Sequence, residues 1–333
     1  MKALVTGGGG FLGLAIVRAL LRQGAGVHSF SRGSYDLLDQ LGVTQHRGSL
    51  ADAGAVAAAV AGSEVVFHVA AQPGIWGDYA QYHETNVIGT RNVIAACRLH
   101  GVRRLVYTSS PSVVFDGRDM QGVDESAPYP SHYEAHYPAT KALAEQSVRA
   151  ANNAQLATVC LRPHLIWGPG DNHLLPRLVA RARSGTLARI GSRDNLIDTI
   201  YIDNAAEAHL LAADRLLPGS PVAGKVYFIS QGEPVPMWDM VNRMLDAAGA
   251  PRVSRTVPVW LARLLALGFE GAHRLGNRPG EPRLTRFVVS EMSTAHWFDI
   301  SAARRDLGYS PRVSIAEGLE RLSISLAPQL AGR

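Results

Sequence analysis

The chain has 333 residues, 47% of them hydrophobic and 18% charged, with a formal net charge of +5. That length exceeds one typical domain and predicts a large domain with a smaller one. The arginines are scattered and no nucleic-acid motif accompanies them, so the positive charge suits small anionic ligands and predicts no nucleic-acid partner. Cys97 and Cys160 fall in an apparent helix and an apparent strand, far apart. They predict buried free thiols in a reducing cytoplasm, not a disulfide framework. Met1 leads directly into a strand pattern, so no signal peptide is expected.

Lys2-Ala3-Leu4-Val5-Thr6 is short, apolar and β-prone, as a buried parallel strand is. Gly7-Gly8-Gly9-Gly10-Phe11-Leu12-Gly13 follows at once, and Phe11 to Leu21 carries apolar residues at helical spacing. Strand, glycine turn and helix start are the context that a dinucleotide-binding fingerprint requires. Gly7, Gly10 and Gly13 take the roles of tight turn, backbone approach to a pyrophosphate and close packing of helix on strand. Phe11 and Leu12 share that turn, where the helix N-terminus offers free N–H groups to phosphates.

Gly26 to Phe30 predicts the second strand, ending in Ser31-Arg32. A chain that binds NAD places Asp or Glu at about the Ser31 position, on the ribose 2′-hydroxyl. Here the carboxylate is missing and Arg32 follows. A carboxylate repels a 2′-phosphate, whereas a guanidinium pairs with it. Ser31 and Arg32 therefore predict NADPH as the cofactor.

Val43 to Arg47 predicts strand three, Asp52 to Ala61 an alanine-rich helix, and Glu64 to Ala70 strand four. A long helix from Tyr79 to His100, containing Asn86, precedes strand five at Arg103 to Ser109. Tyr137 to Asn152 predicts a helix and Leu156 to Leu161 strand six. This alternation predicts an α/β fold, a Rossmann-type doubly wound parallel sheet with helices on both faces. Within the Tyr137 helix, Tyr137 and Lys141 are four apart and share one face. The ammonium is expected to favour the phenolate and lower the phenol pKa. The result would be an acid for a carbonyl oxygen, or a base for the reverse reaction.

After Leu161 the alternation loosens. Gly168-Pro169-Gly170 is a turn, and the stretch to Asp198 lacks strong periodicity. Ile200 to Ile202 and Val226 to Ile229 predict strands returning to the sheet, with a helix from Asp203 to Leu217 between them. Residues 1–165 plus 199–230 are expected to form the NADP-binding domain. Residues 166–198 plus 231–333 are expected to form a smaller mixed α/β substrate domain. The apolar segment Val257 to Phe269 is too short to span a bilayer and carries Arg263. Three readings of it are open: a cover over an apolar substrate cleft, an element on a membrane surface, or an ordinary packed helix. The twelve histidines show no ligand-spaced cluster with Cys or carboxylates, which predicts no metal.

In this order the motifs resemble the extended short-chain dehydrogenase/reductase superfamily over nearly the whole chain. They are Gly7 to Gly13, His68-Val69-Ala70-Ala71, Asn86-Val87-Ile88-Gly89-Thr90, Thr108-Ser109-Ser110, Tyr137 to Lys141, Arg162-Pro163, Gly168-Pro169-Gly170-Asp171 and Tyr201-Ile202-Asp203-Asn204. Thr108 to Phe115 and Asp203 to His209 resemble the 3β-hydroxysteroid dehydrogenase branch. His68 to Gly77 is similar to bacterial reductases of long-chain olefin biosynthesis that act on 2-alkyl-3-oxoalkanoates.

The resemblance implies a role for each matching residue. Ser110 hydrogen-bonds the substrate oxygen, with Ser109 as the neighbouring candidate. Tyr137 donates the proton, and Lys141 tunes Tyr137 and binds the nicotinamide ribose. Asn86 supports the helix and active-site water. Ala70 follows the fourth strand beside the cofactor, and Pro163 borders the nicotinamide. The implied reaction is NADPH-dependent reduction of a long-chain 2-alkyl-3-oxo acid to its 3-hydroxy acid. A 3β-hydroxysteroid or sterol dehydrogenase and a nucleotide-sugar epimerase or dehydratase are the alternatives on this fold. Arg278, Arg283 and Arg286 are candidates for the substrate carboxylate. A homodimer through the two long helices, and assembly with other olefin-route enzymes, are also implied. Two positions depart from the pattern. Gly48-Ser49-Leu50 lacks an aspartate expected at the adenine, and His164 replaces a smaller polar residue.

Overall fold

The computed structural model describes residues 1–276 and 280–331. Seven parallel strands form the central sheet. Their spatial order is Val226–Ile229, Ala157–Pro163, Arg104–Thr108, Val65–His68, Lys2–Thr6, Gly26–Ser31 and Thr44–Arg47. Lys2–Thr6 pairs with Gly26–Ser31 on one side and with Val65–His68 on the other. The winding direction therefore reverses at the first strand. A crevice opens beyond the carboxyl ends there, the place where open α/β sheets hold ligands.

Alternation along each strand feeds two cores. Ala3, Val5, Val65 and Phe67 pack with Ile16 and Leu20 on one face. Leu4 and Val66 pack with Val56, Val93 and Cys97 on the other. Helices Phe11–Arg22 and Ile202–Arg215 cover the first face. Ala53–Val60, Gly89–Leu99 and His136–Ala151 cover the second. Both cysteines are free and buried as expected, and burial pushes the Cys97 thiol up to about 12.

Several elements differ from the sequence expectation. Val226–Ile229 does return to the central sheet, beside Ala157–Pro163. Ile200–Tyr201 does not: it pairs with Ile166–Trp167 in a separate two-stranded sheet. The chain enters helix Ile202–Arg215 immediately afterwards, so no strand of useful length is available. Leu174–Arg183 is a helix that the sequence did not announce, because it buries only Leu175 and Leu178 and its other face is rich in arginine. Asp171 caps it, accepting from the N–H groups of Leu174 and Leu175 at 3.0 and 2.8 Å. Met120–Val123 pairs with His296–Phe298 in a four-stranded sheet whose members are two to four residues long. Strands that short carry no readable period. The expected long helix is helical from Tyr79 to Leu99, with a π-helical turn at His83–Ile88.

Helix Val259–Leu275 buries Ala262, Ala266 and Glu270 and exposes Trp260, Leu264, Leu265 and Leu267. Its small-residue face packs on helix Arg286–Ser293. None of its residues lines the crevice, so it does not cover a substrate cleft. Among the described residues, no helix is long and apolar enough to cross a membrane.

Candidate active site

The crevice is a cavity of about 640 Å³. Gly7, Gly10, Phe11, Leu12 and Gly13 line one wall, and Ser31 and Arg32 line another. Ala70, Ser110, Tyr137 and Pro163 complete it. Of the residues read from the sequence as holding the dinucleotide or acting on the substrate oxygen, all but Lys141 line this space.

The glycine turn is as tight as its spacing implied. Gly7 has φ +72°, and a Cβ there would lie 3.1 Å from the Ala70 backbone. Gly10 N–H donates to the Gly7 carbonyl at 2.9 Å. A Cβ on Gly13 would lie 2.0 Å from that same carbonyl oxygen. Helix Phe11–Arg22 starts at Gly10 with no side-chain cap, so its first N–H groups face the cavity unclaimed. The Ser31 hydroxyl is buried with no partner, and Arg32 is exposed at the cavity wall. A glycine cradle, uncapped N–H groups and an orphaned hydroxyl together fit a dinucleotide. Gly48, Ser49 and Leu50 line the cavity too, so the stretch that lacks an aspartate does face the ligand space.

Replacing Gly13 with alanine is expected to force this turn open. The collision is with backbone, so no side-chain rotation relieves it, and overpacking of this kind costs about 1–3 kcal/mol. Nucleotide affinity, read by fluorescence titration, should fall roughly tenfold or more. Unchanged affinity would show that the turn does not hold the phosphates.

At the other end, Ser110, Tyr137, Pro163 and Leu165 also line a second chamber of about 360 Å³. Ser109 lines only the first and is almost fully buried, so geometry separates the two serines in favour of Ser110. The Ser110 hydroxyl is 2.8 Å from that of Ser112 and accepts from its N–H at 3.2 Å. Burial pushes the Tyr137 phenol up to about 12, and the Ser110 hydroxyl beside it pulls the other way. Leu165, the only described non-glycine residue at positive φ (45°), is held strained where the two chambers meet.

The expected lowering of the phenol pKa by lysine is not what the structure shows. Lys141 is 2% exposed. Its ammonium donates to the Thr108 carbonyl at 2.6 Å and sits 4.2 Å above the Tyr107 ring. Burial lowers the lysine to about 7, with Glu145 resisting. Desolvation has thus moved both groups toward their neutral forms.

A polar network that sequence reasoning mostly missed supports these residues. Thr6 Oγ accepts from the N–H groups of Val69 and Ala70 at 3.1 Å each, which leaves its proton for His68 Nδ1 at 2.8 Å. His68 Nε2 then donates to Thr90 Oγ at 2.9 Å, and Thr90 donates to the Asn86 carbonyl at 2.6 Å. Burial holds His68 neutral, at about 3. Asn86 Oδ1 accepts from Gln72 N–H at 2.7 Å, and Asn86 Nδ2 donates to Thr140 at 3.0 Å. Asn86 therefore ties the loop after the fourth strand to helix His136–Ala151.

The second chamber is walled by Phe115, Met120, Phe287 and Phe298, with His164, Glu291 and His296 among them. His164 both faces this space and is satisfied, its Nδ1 lying 2.7 Å from the Asp198 carbonyl. The arginines proposed for a substrate carboxylate are not here. Arg286 turns to Glu270 of the neighbouring helix at 2.9 Å, Arg283 is exposed and does not line the chamber, and Arg278 lies outside the described residues. At the chamber rim, Arg177 pairs with Glu281 at 3.0 Å.

Residues 4–259 match the 3-beta hydroxysteroid dehydrogenase/isomerase family. The chain belongs to this family. It is 54% identical over 330 residues to a 2-alkyl-3-oxoalkanoate reductase of Stenotrophomonas maltophilia, covering 98% of this chain and 100% of that protein. A 2-alkyl-3-oxoalkanoate reductase of Shewanella oneidensis is 49% identical over 332 residues, covering 97% and 86%. A human sterol-4-alpha-carboxylate 3-dehydrogenase, decarboxylating, is 33% identical over 325 residues, covering 96% and 87%. Among solved structures, gox2253 superposes with a TM-score of 0.79 at 27% identity, covering 99% and 98%. A Thermus thermophilus UDP-glucose 4-epimerase in complex with NAD has a TM-score of 0.73 at 24% identity, covering 98% of each chain, a likeness of fold alone. The family match ends near the start of helix Val259–Leu275, so Phe287, Glu291, His296 and Phe298 of the second chamber lie beyond it.

Proposed function

We propose that this chain is an NADPH-dependent reductase that converts the 3-oxo group of a long-chain 2-alkyl-3-oxoalkanoate to the 3-hydroxy acid. The observation that carries this reading is the place of Ser110 and Tyr137 between a dinucleotide-shaped cavity and a chamber walled by aromatic and aliphatic side chains. Two full-length relatives named for that reaction support it. The sterol dehydrogenase relatives are more distant, and the epimerases share the fold alone.

A bound reduced nicotinamide supplies the hydride. Ser110 Oγ donates a hydrogen bond to the substrate oxygen as negative charge builds there. Tyr137 Oη gives its proton to the same oxygen. The tyrosinate left behind must recover a proton before the next turnover, and Lys141, one helical turn on, holds the strand end beneath it through the Thr108 carbonyl. Pro163 and the strained Leu165 wall the junction of the two chambers, where they would hold a substrate against a bound nicotinamide. The product alcohol then passes to a later enzyme of the olefin route. Exposed Leu99 and Leu143, on the two long helices, suit a homodimer seam.

The cofactor assignment rests on Ser31 and Arg32, which line the dinucleotide cavity with no carboxylate at the strand end. A charge-assisted hydrogen bond of this kind contributes about 1.5–3 kcal/mol. Arg32→Asp is therefore expected to lower kcat/KM for NADPH roughly ten- to hundredfold and to shift preference toward NADH. The test is absorbance at the reduced-nicotinamide band with each cofactor and a synthetic 2-alkyl-3-oxoalkanoate. Equal use of both cofactors by the unaltered protein would contradict the assignment.

A further inference from the structure

We propose that Glu291, as a neutral carboxylic acid, donates the hydrogen bond that holds the substrate carboxylate; this rests on the reading of the substrate as a 2-alkyl-3-oxo acid. Glu291 lies in helix Arg286–Ser293 and lines the second chamber with Ser110 and Tyr137. Its backbone carbonyl is engaged by His296 Nε2 at 2.8 Å. Its carboxyl has no hydrogen-bond or ion-pair partner among the described residues. It is near enough to Tyr137 that its charge raises the phenol.

The substrate's own geometry sends its carboxylate to this chamber. In a 3-oxo acid the carboxyl carbon is two bonds from the carbonyl carbon, about 2.5 Å away. With the 3-oxo oxygen on Ser110 and Tyr137, the carboxylate must settle among the residues beside them.

The other titratable groups that line the chamber are otherwise occupied. Arg177 is paired with Glu281, which also accepts from the Ile75 N–H at 3.2 Å. His164 and His296 are pushed toward their neutral forms by burial. His173 is exposed on the rim, and Tyr137 serves the ketone. An ionised Glu291 would repel an anionic substrate. A protonated one offers an O–H to it, a strong charge-assisted contact. Burial without a counter-charge raises Glu291 to about 7, and a carboxylate beside it raises it further. Binding of the acid therefore takes up a proton at this residue.

The experiment compares a 2-alkyl-3-oxo acid with a ketone of the same chains that lacks the carboxyl, from pH 5.5 to 9. Wild type and Glu291→Gln are measured with saturating NADPH. For wild type, kcat/KM for the acid should fall above about pH 7, approaching tenfold per pH unit, with the loss in KM. The ketone should show no such limb. Glu291→Gln keeps a hydrogen-bond donor and should flatten the limb for the acid, so that the acid-to-ketone ratio no longer changes with pH. A limb for the acid that survives in Glu291→Gln, or one shared by the ketone, overturns the assignment and leaves the reductase reading standing. Should Glu291→Gln lose activity on both substrates, the acid-to-ketone ratio of wild type against pH decides by itself. No reduction of the acid at any pH overturns both the reading and the assignment.

Discussion

Tyr137→Phe is expected to lower kcat by about 10²- to 10⁴-fold, the range a positioned general acid contributes. The substitution removes one oxygen and keeps the ring. The phenol faces the junction of the two chambers, so no other part of the fold depends on its hydroxyl. Nucleotide affinity, measured by fluorescence titration, should stay within about twofold, because the glycine turn and Arg32 are far along the cavity. Turnover above a tenth of wild type would remove Tyr137 from the chemistry. The raised phenol makes the point sharper. Burial keeps the phenol protonated through the neutral range, ready to donate once negative charge builds on the substrate oxygen.

The largest expected effect on stability lies one layer below. Arg162 and Glu145 are both almost wholly buried and form a two-pronged pair, Nη2–Oε1 at 2.6 Å and Nε–Oε2 at 3.0 Å. Tyr129 also donates to Glu145, at 2.6 Å. Arg162→Met would leave the Glu145 carboxylate buried with no counter-charge. Breaking such a pair costs about 3–5 kcal/mol. At roughly 2–4 °C per kcal/mol, the melting midpoint should fall by about 10 °C, a change calorimetry reads directly. Burial raises Glu145, but the hydrogen bonds and charge of Arg162 outweigh it and hold the carboxyl below its ordinary 4.5. Its folded pKa is depressed, so the pair's contribution is present above that value and is lost as pH falls through the lowered one. In Arg162→Met that acid-side loss should disappear. A melting midpoint within about 2 °C of wild type would show that Glu145 finds another partner or is neutral.

The nucleotide half of the site was readable because its chemistry is local. A strand, a glycine turn and a helix start occupy thirteen consecutive residues, and Ser31-Arg32 closes the next strand. Tyr137 and Lys141 were readable for the same reason, as neighbours on one helix face. Their electrostatics were not. The expected lysine effect assumed an ammonium facing a phenol, and the fold instead buries the lysine against Thr108 and Tyr107. The substrate chamber is assembled from distant pieces. Met120 and His296 meet through paired short strands, and Glu291 arrives on an eight-residue helix. Their spacing in sequence holds no trace of that meeting. The arginines were chosen for charge alone, and Arg286 is consumed by Glu270, a pairing visible only once two helices are packed.

The central claim is that this chain carries a hydride from NADPH to the 3-oxo carbon of a 2-alkyl-3-oxo acid. The most direct measurement uses NADPH deuterated at the transferable position, a synthetic 2-alkyl-3-oxoalkanoate, and mass spectrometry of the product. The account predicts one deuterium at C3 of a 2-alkyl-3-hydroxy acid, formed about 10²-fold or more slowly when Tyr137→Phe replaces the wild type. Recovery of unchanged oxo acid with intact NADPH would contradict it.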